Sequence, residues 1–205
     1  MTKTTTHNTE ELILDAAKDV FQHKGMDGAR MQEIADKAGI NKAMLHYYYR
    51  SKQKLFEAVF KSAINMMSPK IIEIINTDDH LFTKIENFTD KYIGFIGKHS
   101  YIPLFIINEL NRNPKLLKKA IGNKTGNQIE QKLINQIKDL VEKGEIRPIN
   151  PEQLLLDIMS LSIFPVVGQP LLKTILQKDD KEYKKLIKQR KTCVSEFIIN
   201  SIKIK

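Results

Sequence analysis

The chain has little of what stabilises cross-linked, turn-rich or membrane-spanning folds. Its one cysteine, Cys193, excludes an internal disulfide and a cluster of thiolate metal ligands. Nine glycines and seven prolines among 205 residues favour helices over a turn-rich sandwich. No stretch approaches the roughly 20 apolar residues that cross a bilayer, and the polar N-terminus lacks the apolar core of a signal peptide. We therefore expect a cytoplasmic protein with no membrane partner.

Catalytic signatures are also absent. The five histidines are scattered along the chain, and none belongs to an HExxH motif. There is no GxSxG nucleophile motif, no P-loop and no dinucleotide-binding GxGxxG motif. These absences predict that the chain is not an enzyme and uses no metal or other cofactor.

Positive charge is plentiful but unevenly placed. The net charge is +9, which favours a polyanionic partner such as nucleic acid. Residues 1–68 contain 10 Lys/Arg and 8 Asp/Glu, whereas residues 69–205 contain 23 and 16. The excess is therefore +2 in the first part and +7 in the second. Within the first part, however, Asn41 to Lys54 carries four basic residues and no acidic one.

Apolar residues recur at helical spacing along the whole chain, and no alternating strand pattern persists. Gly25 and Gly39 are suited to end helices, because glycine tolerates the left-handed conformation that follows a last turn. Asn41 and Ser51 are suited to begin helices by capping free N–H groups. We predict an all-α protein, with a DNA-binding domain over residues 8–68 and a second helical domain over residues 69–205.

Residues 30–49 have the pattern of a helix-turn-helix. Two short helices flank Gly39-Ile40-Asn41, and in such motifs the second helix enters the major groove of DNA. Leu45 and Tyr49 fall on the face that packs against the preceding helix. The opposite face of the second helix is predicted to meet DNA and carries Lys42, Ala43, Met44, His46, Tyr47 and Tyr48.

The segment IADKAGINKAMLHYYYRSKQKLF resembles the recognition segment of the tetracycline-repressor (TetR) family of bacterial regulators, and ILDAAKDVFQHKGMDGARMQEIA resembles the family's first helix and linker. The resemblance covers about residues 10–57. It implies an all-helical, two-domain homodimer that binds a palindromic operator in double-stranded DNA. It also implies repression that a small apolar or amphipathic ligand in the C-terminal bundle relieves.

By position, the resemblance assigns DNA contacts to residues at the start of the second helix, around the third helix and at the start of the fourth: Arg30, Gln32, Asn41, Lys42, Ala43, Met44, His46, Tyr47, Tyr48 and Lys52. Some positions depart from the family pattern. Ala29 and Arg30 replace the usual threonine or serine before the second helix, which weakens its cap. Ala43 and Met44 replace the usual glycine and threonine, so the operator sequence does not follow from the resemblance.

For the second domain we expect a largely apolar ligand cavity with a few polar groups. The candidate lining residues mix aromatic, apolar and polar side chains: Tyr92, Phe95, His99, Tyr101, Phe105, Ile106, Glu109, Met159 and Phe164. Ordinary helix-packing core is an equally good interpretation of each of them. The last two long helices, one opening at Pro151 and one ending near Ile202, are expected to form the dimer interface. We predict that Pro165, Gly168 and Pro170 break the first of these.

A second hypothesis stays open at this point. The departures at Ala43 and Met44 are compatible with a helical protein-interaction module that has lost specific operator reading. Substitution of Lys42 and Tyr48 distinguishes the two, since only a DNA reader depends on them for nucleic-acid affinity.

Overall fold

The computed structural model describes residues 3–115 and 123–204, with only the backbone described for residues 3–8, 67 and 123–130. Within these ranges the chain forms ten helices, and the one β-type pairing is an isolated bridge between Ile146 and Lys203. The predicted all-α fold is thus confirmed. The helices are α1 (Lys3–Gly28), α2 (Met31–Lys37), α3 (Lys42–Tyr48), α4 (Lys52–Asn76), α5 (Leu81–Lys98), α6 (Tyr101–Arg112), α7 (Asn123–Glu142), α8 (Pro151–Val167), α9 (Gln169–Leu176) and α10 (Asp180–Ile202).

Contacts divide the chain into two compact units, and the division falls within α4, between residues 65 and 66. The boundary suggested by the sequence lies three residues further along the same helix. Because α4 belongs to both units, it is the covalent connection between the part that resembles a DNA reader and the remaining helices.

Local sequence signals explain where several helices begin. The Asn150 side chain accepts a hydrogen bond from the Gln153 N–H at 2.9 Å, directly before Pro151 opens α8. Asp179 caps α10 by accepting from the Glu182 N–H at 2.7 Å, while the Glu182 carboxylate accepts from the Asp179 N–H at 3.2 Å. This reciprocal pair is a capping box, which satisfies two otherwise free N–H groups.

The first unit has its own apolar core. Phe21 of α1 and Phe56 of α4 are almost fully buried and meet edge to face, with ring centroids 5.0 Å apart. Small residues on α2, among them Ala35, are also fully buried and let the short helices approach closely. The packing fixes α2 and α3 against two longer helices.

The second unit is organised around α5. Its apolar face, which includes Ile85, Ile93 and Ile96, is buried against α8 and α10. The facing side of α10 contributes Val194 and Ile198, each about 1% exposed. This core holds α5, α8 and α10 together and leaves one side of α8 and of α10 uncovered within the single chain.

The predicted break at Pro165 is wrong, because α8 continues to Val167 and ends at Gly168. Proline has no N–H, so the carbonyl of Leu161, four residues earlier, loses its helical donor. Arg190 of α10 replaces that donor: its Nε and Nη2 donate to the Leu161 oxygen at 3.3 and 3.1 Å. The Tyr183 hydroxyl donates to the Pro165 carbonyl at 2.6 Å. Helix α8 therefore survives its proline through side chains of α10.

Within the described ranges, no single helix is both long and apolar enough to span a membrane. The bent pair Pro151–Val167 and Gln169–Leu176, which meet at 77°, satisfies the length and composition test only when the two helices are combined.

The repair of α8 predicts a coupled pair of substitutions. Arg190→Met leaves the Leu161 carbonyl without a donor, so it should lower the free energy of unfolding by about 1–3 kcal/mol. In a Pro165→Ala background the alanine N–H can bind that carbonyl, and the same substitution should cost less than half as much. Chemical denaturation of the four proteins of this double-mutant cycle measures the coupling. Lys188→Met, which removes an exposed charge from the same helix, is the control, and equal costs in both backgrounds would refute the interpretation.

Candidate nucleic-acid interface

The turn between α2 and α3 is fixed by backbone hydrogen bonds. Gly39 adopts φ +68°, its N–H donates to the Asp36 oxygen at 3.2 Å, and the Ile40 N–H donates to the Ala35 oxygen at 3.0 Å. This pair of bonds is the Schellman arrangement that satisfies the last carbonyls of a helix. The predicted role of Gly39 is confirmed, because the turn requires the left-handed conformation at that position.

The next residues start α3 as predicted. The Asn41 side chain accepts a hydrogen bond from the Met44 N–H at 2.7 Å and so caps the helix. Ser51 likewise accepts from the Lys54 N–H at 3.2 Å at the start of α4. Arg30 occupies the cap position of α2 without a side-chain capping bond, which confirms that this cap is weak.

One face of α3 is anchored in the core. Leu45 is fully buried and Tyr49, directly after the helix, is 8% exposed. The Tyr49 hydroxyl donates to Glu10 Oε1 at 3.1 Å. Burial, followed by this carboxylate, raises the pKa of Tyr49 well above its ordinary value. Tyr49 therefore remains a neutral donor that ties the end of α3 to α1.

The other face of α3 is open. Tyr47 is 82% exposed and Met44 is 42% exposed, while Tyr48 is half-buried and meets the Tyr47 ring edge to face at 5.6 Å. Lys42, Ala43 and His46 are exposed as well. The structure therefore shows the predicted division of α3 into a face that packs in the core and a face that is exposed.

Ion pairs elsewhere in the first unit leave this region with unbalanced positive charge. Lys24 pairs with Glu33 at 2.6 Å, and Lys37 pairs with Asp19, whose pKa is lowered mainly by the hydrogen bond from that lysine. In the described part of the chain, no carboxylate pairs with Arg30, Lys42 or the exposed Arg50. Arg50 was not among the predicted contacts, although its place in the acid-free stretch from Asn41 to Lys54 could have identified it.

Two predicted residues have partners inside the protein. Lys52 is half-buried, and its ammonium donates to the carbonyls of Asp27 at 3.2 Å and Ala29 at 3.0 Å. It thereby holds the connection between α1 and α2, with one N–H remaining for a phosphate. Gln32 donates to Asp36 Oδ1 at 2.8 Å on its own helix and is exposed.

The model of the family described as "Bacterial regulatory proteins, tetR family" matches residues 13–59, the stretch that holds these features. These residues therefore form a DNA-binding domain of the TetR type. The chain is a DNA-binding transcriptional regulator of the helix-turn-helix type, and its relatives are regulators rather than enzymes, in agreement with the prediction of no catalytic activity.

Two curated relatives extend beyond the matched segment. The chain is 26% identical over 148 residues to the HTH-type transcriptional regulator RutR of Escherichia coli K12, covering 71% of this chain and 68% of RutR. It is 25% identical over 140 residues to IcaR of Staphylococcus aureus strain Newman, a negative transcriptional regulator of the biofilm operon icaADBC, covering 67% and 72%.

Solved structures agree with the fold over nearly the whole chain. The ketosteroid transcriptional regulator KstR2 of Mycobacterium tuberculosis matches with a TM-score of 0.71 at 14% identity, covering 96% of this chain and 95% of KstR2. FadR of Bacillus subtilis, solved in complex with stearoyl-CoA, matches with a TM-score of 0.66 at 18% identity, covering 92% and 97%.

The second unit contains an apolar cavity of about 310 Å³. The lining comes from α4, α5, α7 and α8: Ile71, Ile74, Ile75, Leu81, Lys84, Ile85, Phe88, Leu133, Leu155, Ile158 and Met159. Of the nine residues predicted for a ligand cavity, this lining includes Met159. Lys84 was missed, although a charged residue one turn after Leu81 on the apolar face of α5 is a signal that the sequence carries.

The other eight predicted residues lie elsewhere. Tyr92 is buried and stacks on Phe88 with ring centroids 4.9 Å apart, and burial raises its pKa to about 12. Phe164 is half exposed on α8. The remaining six lie at the end of α5 or along α6: Phe95, His99, Tyr101, Phe105, Ile106 and Glu109. The sequence periodicity identified apolar faces here but did not indicate which of them line this cavity.

Because the outward face of α3 is exposed, we predict that substitutions on it change DNA affinity without changing the stability of the protein. Lys42→Ala and Tyr47→Ala remove exposed side chains, so each should weaken DNA binding several-fold while leaving the thermal midpoint within about 1 °C. Lys42→Ala should also reduce the slope of log affinity against log salt by about 1 if Lys42 meets a phosphate. Lys138→Ala, an equal loss of exposed charge in the second unit, is the control. If DNA affinity is unchanged by both α3 variants, the protein-interaction hypothesis is favoured instead.

Proposed function

We propose that this regulator is a homodimeric repressor that binds a palindromic operator and is released from it by a small ligand in the second unit. The observation that carries the proposal is the division of α3, in which Leu45 is fully buried while Tyr47 is 82% exposed. A short helix anchored on one side and bare on the other can enter a groove without losing its position in the fold.

The DNA contacts are proposed as two groups. Lys42, Ala43, Met44, His46, Tyr47 and Tyr48 project from α3, where they can meet base edges and phosphates in the major groove. Arg30, Gln32, Asn41 and Lys52 lie at or beside helix N-termini, where free N–H groups and positive side chains favour phosphate. Arg30 and Lys42, which pair with no carboxylate among the described residues, give the interface its electrostatic attraction.

The dimer is proposed from apolar side chains that the single chain leaves exposed on its last three helices. Phe197 of α10 is 66% exposed, Leu156 and Phe164 of α8 are 57% and 50% exposed, and Ile175 of α9 is 63% exposed. Exposed apolar groups in this number favour association. A two-fold dimer buries the same surface on both copies, and its symmetry requires an operator of matching symmetry.

Repression and ligand release are proposed on the function of relatives and on the cavity. IcaR is named as a negative regulator, and FadR was solved with a bound acyl-CoA. The cavity in this chain is lined in part by α4, the helix that follows the reading helix directly. We propose that α4 has two positions, of which one is compatible with DNA binding. A ligand that binds the protein more tightly in the other position lowers its affinity for DNA, and the ratio of the two ligand affinities limits the size of this effect.

The proposal is tested by footprinting on the DNA upstream of the protein's own gene and its neighbours. We expect one protected palindrome, with an affinity that falls steeply as salt rises, because several phosphates are neutralised on each half-site. Protection without internal symmetry would contradict the dimer. The absence of any salt-dependent binding would contradict operator recognition altogether.

The proposed interface also predicts the oligomeric state of a point variant. Phe197→Glu places a charge where an apolar ring is to be buried, so sedimentation equilibrium should give the mass of a monomer or a dissociation constant at least 100-fold weaker than that of the unmodified protein. Thr192→Glu adds the same charge to an exposed position of α10 that lies about 140° away around the helix, and it should leave the dimer intact. Equal dissociation constants for the two variants would rule out α10 as the interface.

A further inference from the structure

Among the described residues that line the apolar cavity, Lys84 is the one with a charged side chain, and its surroundings are unusual. Lys84 is 4% exposed and belongs to the lining together with isoleucines of α4 and α5. Its ammonium donates to the carbonyl oxygen of Ile75 at 3.2 Å and to Gln136 Oε1 at 2.8 Å. Both acceptors are neutral. Of the three N–H groups of a lysine, these bonds use two, and the described residues offer no acceptor to the third.

The charge of Lys84 also has no close counter-ion. Within the described ranges, no carboxylate lies within ion-pair distance of its ammonium. The pKa of Lys84 is lowered first by burial and then by the charge of Lys132, and Asp78 and Asp79 offset this from further away. Asp78 is fully exposed and lies 3.8 Å from Lys132 rather than beside Lys84. A buried cation that lacks a counter-charge is costly, and an anion placed beside it would be correspondingly stabilised.

We infer that this cavity binds an aliphatic carboxylate, with its hydrocarbon chain against the isoleucines and its carboxylate on the Lys84 ammonium. This inference rests on the proposed function, since it names the chemistry of the ligand that the regulator detects. A single cation matches a single negative charge. The other described lining residues are aliphatic apart from Phe88 and Met159, and none of these side chains carries a polar group that would compete with hydrocarbon.

The cavity volume is large enough for a short chain. If each non-hydrogen atom takes about 30 Å³, the liquid-volume share of a water molecule, the cavity of about 310 Å³ holds roughly ten such atoms. Octanoate, with eight carbons and two oxygens, has that size.

The position of Lys84 also indicates how binding is detected. Ile75 is in the last turn of α4, where carbonyls have no helical donor. Lys84 of α5 pairs with the Ile75 carbonyl, and Lys132 of α7 pairs with the neighbouring Asn76 carbonyl at 2.9 Å. A carboxylate that competes for the Lys84 ammonium weakens one of these two attachments. The ligand therefore acts on the C-terminal end of α4. The N-terminal end of the same helix directly follows the residues proposed to contact DNA.

The experiment compares three probes that share one chain and differ in the head group: octanoate, octanol and octylammonium. Calorimetric titration of the full-length protein without DNA should show octanoate binding at least 10-fold more tightly than octanol, with no detectable binding of octylammonium. Lys84→Met keeps the length of the side chain but removes its charge, and should weaken octanoate at least 10-fold while octanol is unchanged or tighter. Lys91→Met, an exposed lysine on the same helix, should match the unmodified protein.

Two results would overturn the inference: octanol binding as tightly as octanoate, or octanoate binding equally well to the Lys84→Met protein. Even if the Lys84→Met protein does not fold, the comparison of octanoate, octanol and octylammonium on the unmodified protein still tests whether the cavity prefers a carboxylate. Operator binding is measured separately, without ligand. Operator binding with no octanoate binding contradicts this inference alone, whereas Lys84-dependent octanoate binding with no operator binding contradicts the proposed function alone.

Discussion

Backbone groups that helices leave unpaired are the constraint on which this structure depends. A chain built almost entirely of helices has many such groups, and burial without a partner costs each of them free energy. Here, long basic side chains from other helices supply the partners. Lys52 binds one carbonyl in the last turn of α1 and one directly after it, Lys84 and Lys132 bind the end of α4, and Arg190 binds the carbonyl that Pro165 leaves free. These bonds connect helices that are distant in sequence.

This use of basic residues changes how the charge of the protein is understood. The net charge of +9 suggests a nucleic-acid partner, yet several of the cations act inside the fold or pair with acids on α1 and α2. What remains beside α3 is a small set of cations, including Lys42 and Arg50, that pair with no carboxylate in the part of the chain that the structure describes. The local arrangement of charge, rather than its total, therefore distinguishes the face that we propose meets DNA. The same principle singles out Lys84, a buried cation that has no ion-pair partner among the described residues.

Much of the helix-turn-helix over residues 30–49, called the reading head below, could be predicted from sequence because its determinants are local. Gly39 specifies a left-handed turn, and Asn41 caps the helix that follows. Leu45 falls, by helical spacing, on the side of α3 that faces the core. Each effect acts over about one helical turn, so each is visible in a short stretch of sequence. The position of the apolar cavity could not be predicted in this way. Its described lining comes from four helices, and Phe95 and Phe105, which resemble cavity residues by composition, lie on α5 and α6 outside that lining.

The sequence by itself determined the all-helical fold, the caps and turn of the reading head, and the division of α3 into buried and exposed faces. Tertiary structure decided which lysines are available, where the cavity lies, and that α8 continues through Pro165. The physical reason is range. Propensity and capping act between neighbours in sequence, whereas the partner of a buried cation or of an orphaned carbonyl comes from wherever packing brings another helix. The neighbouring residues in sequence were enough to predict the two faces of α3, but they were not enough to predict the surroundings of Lys84.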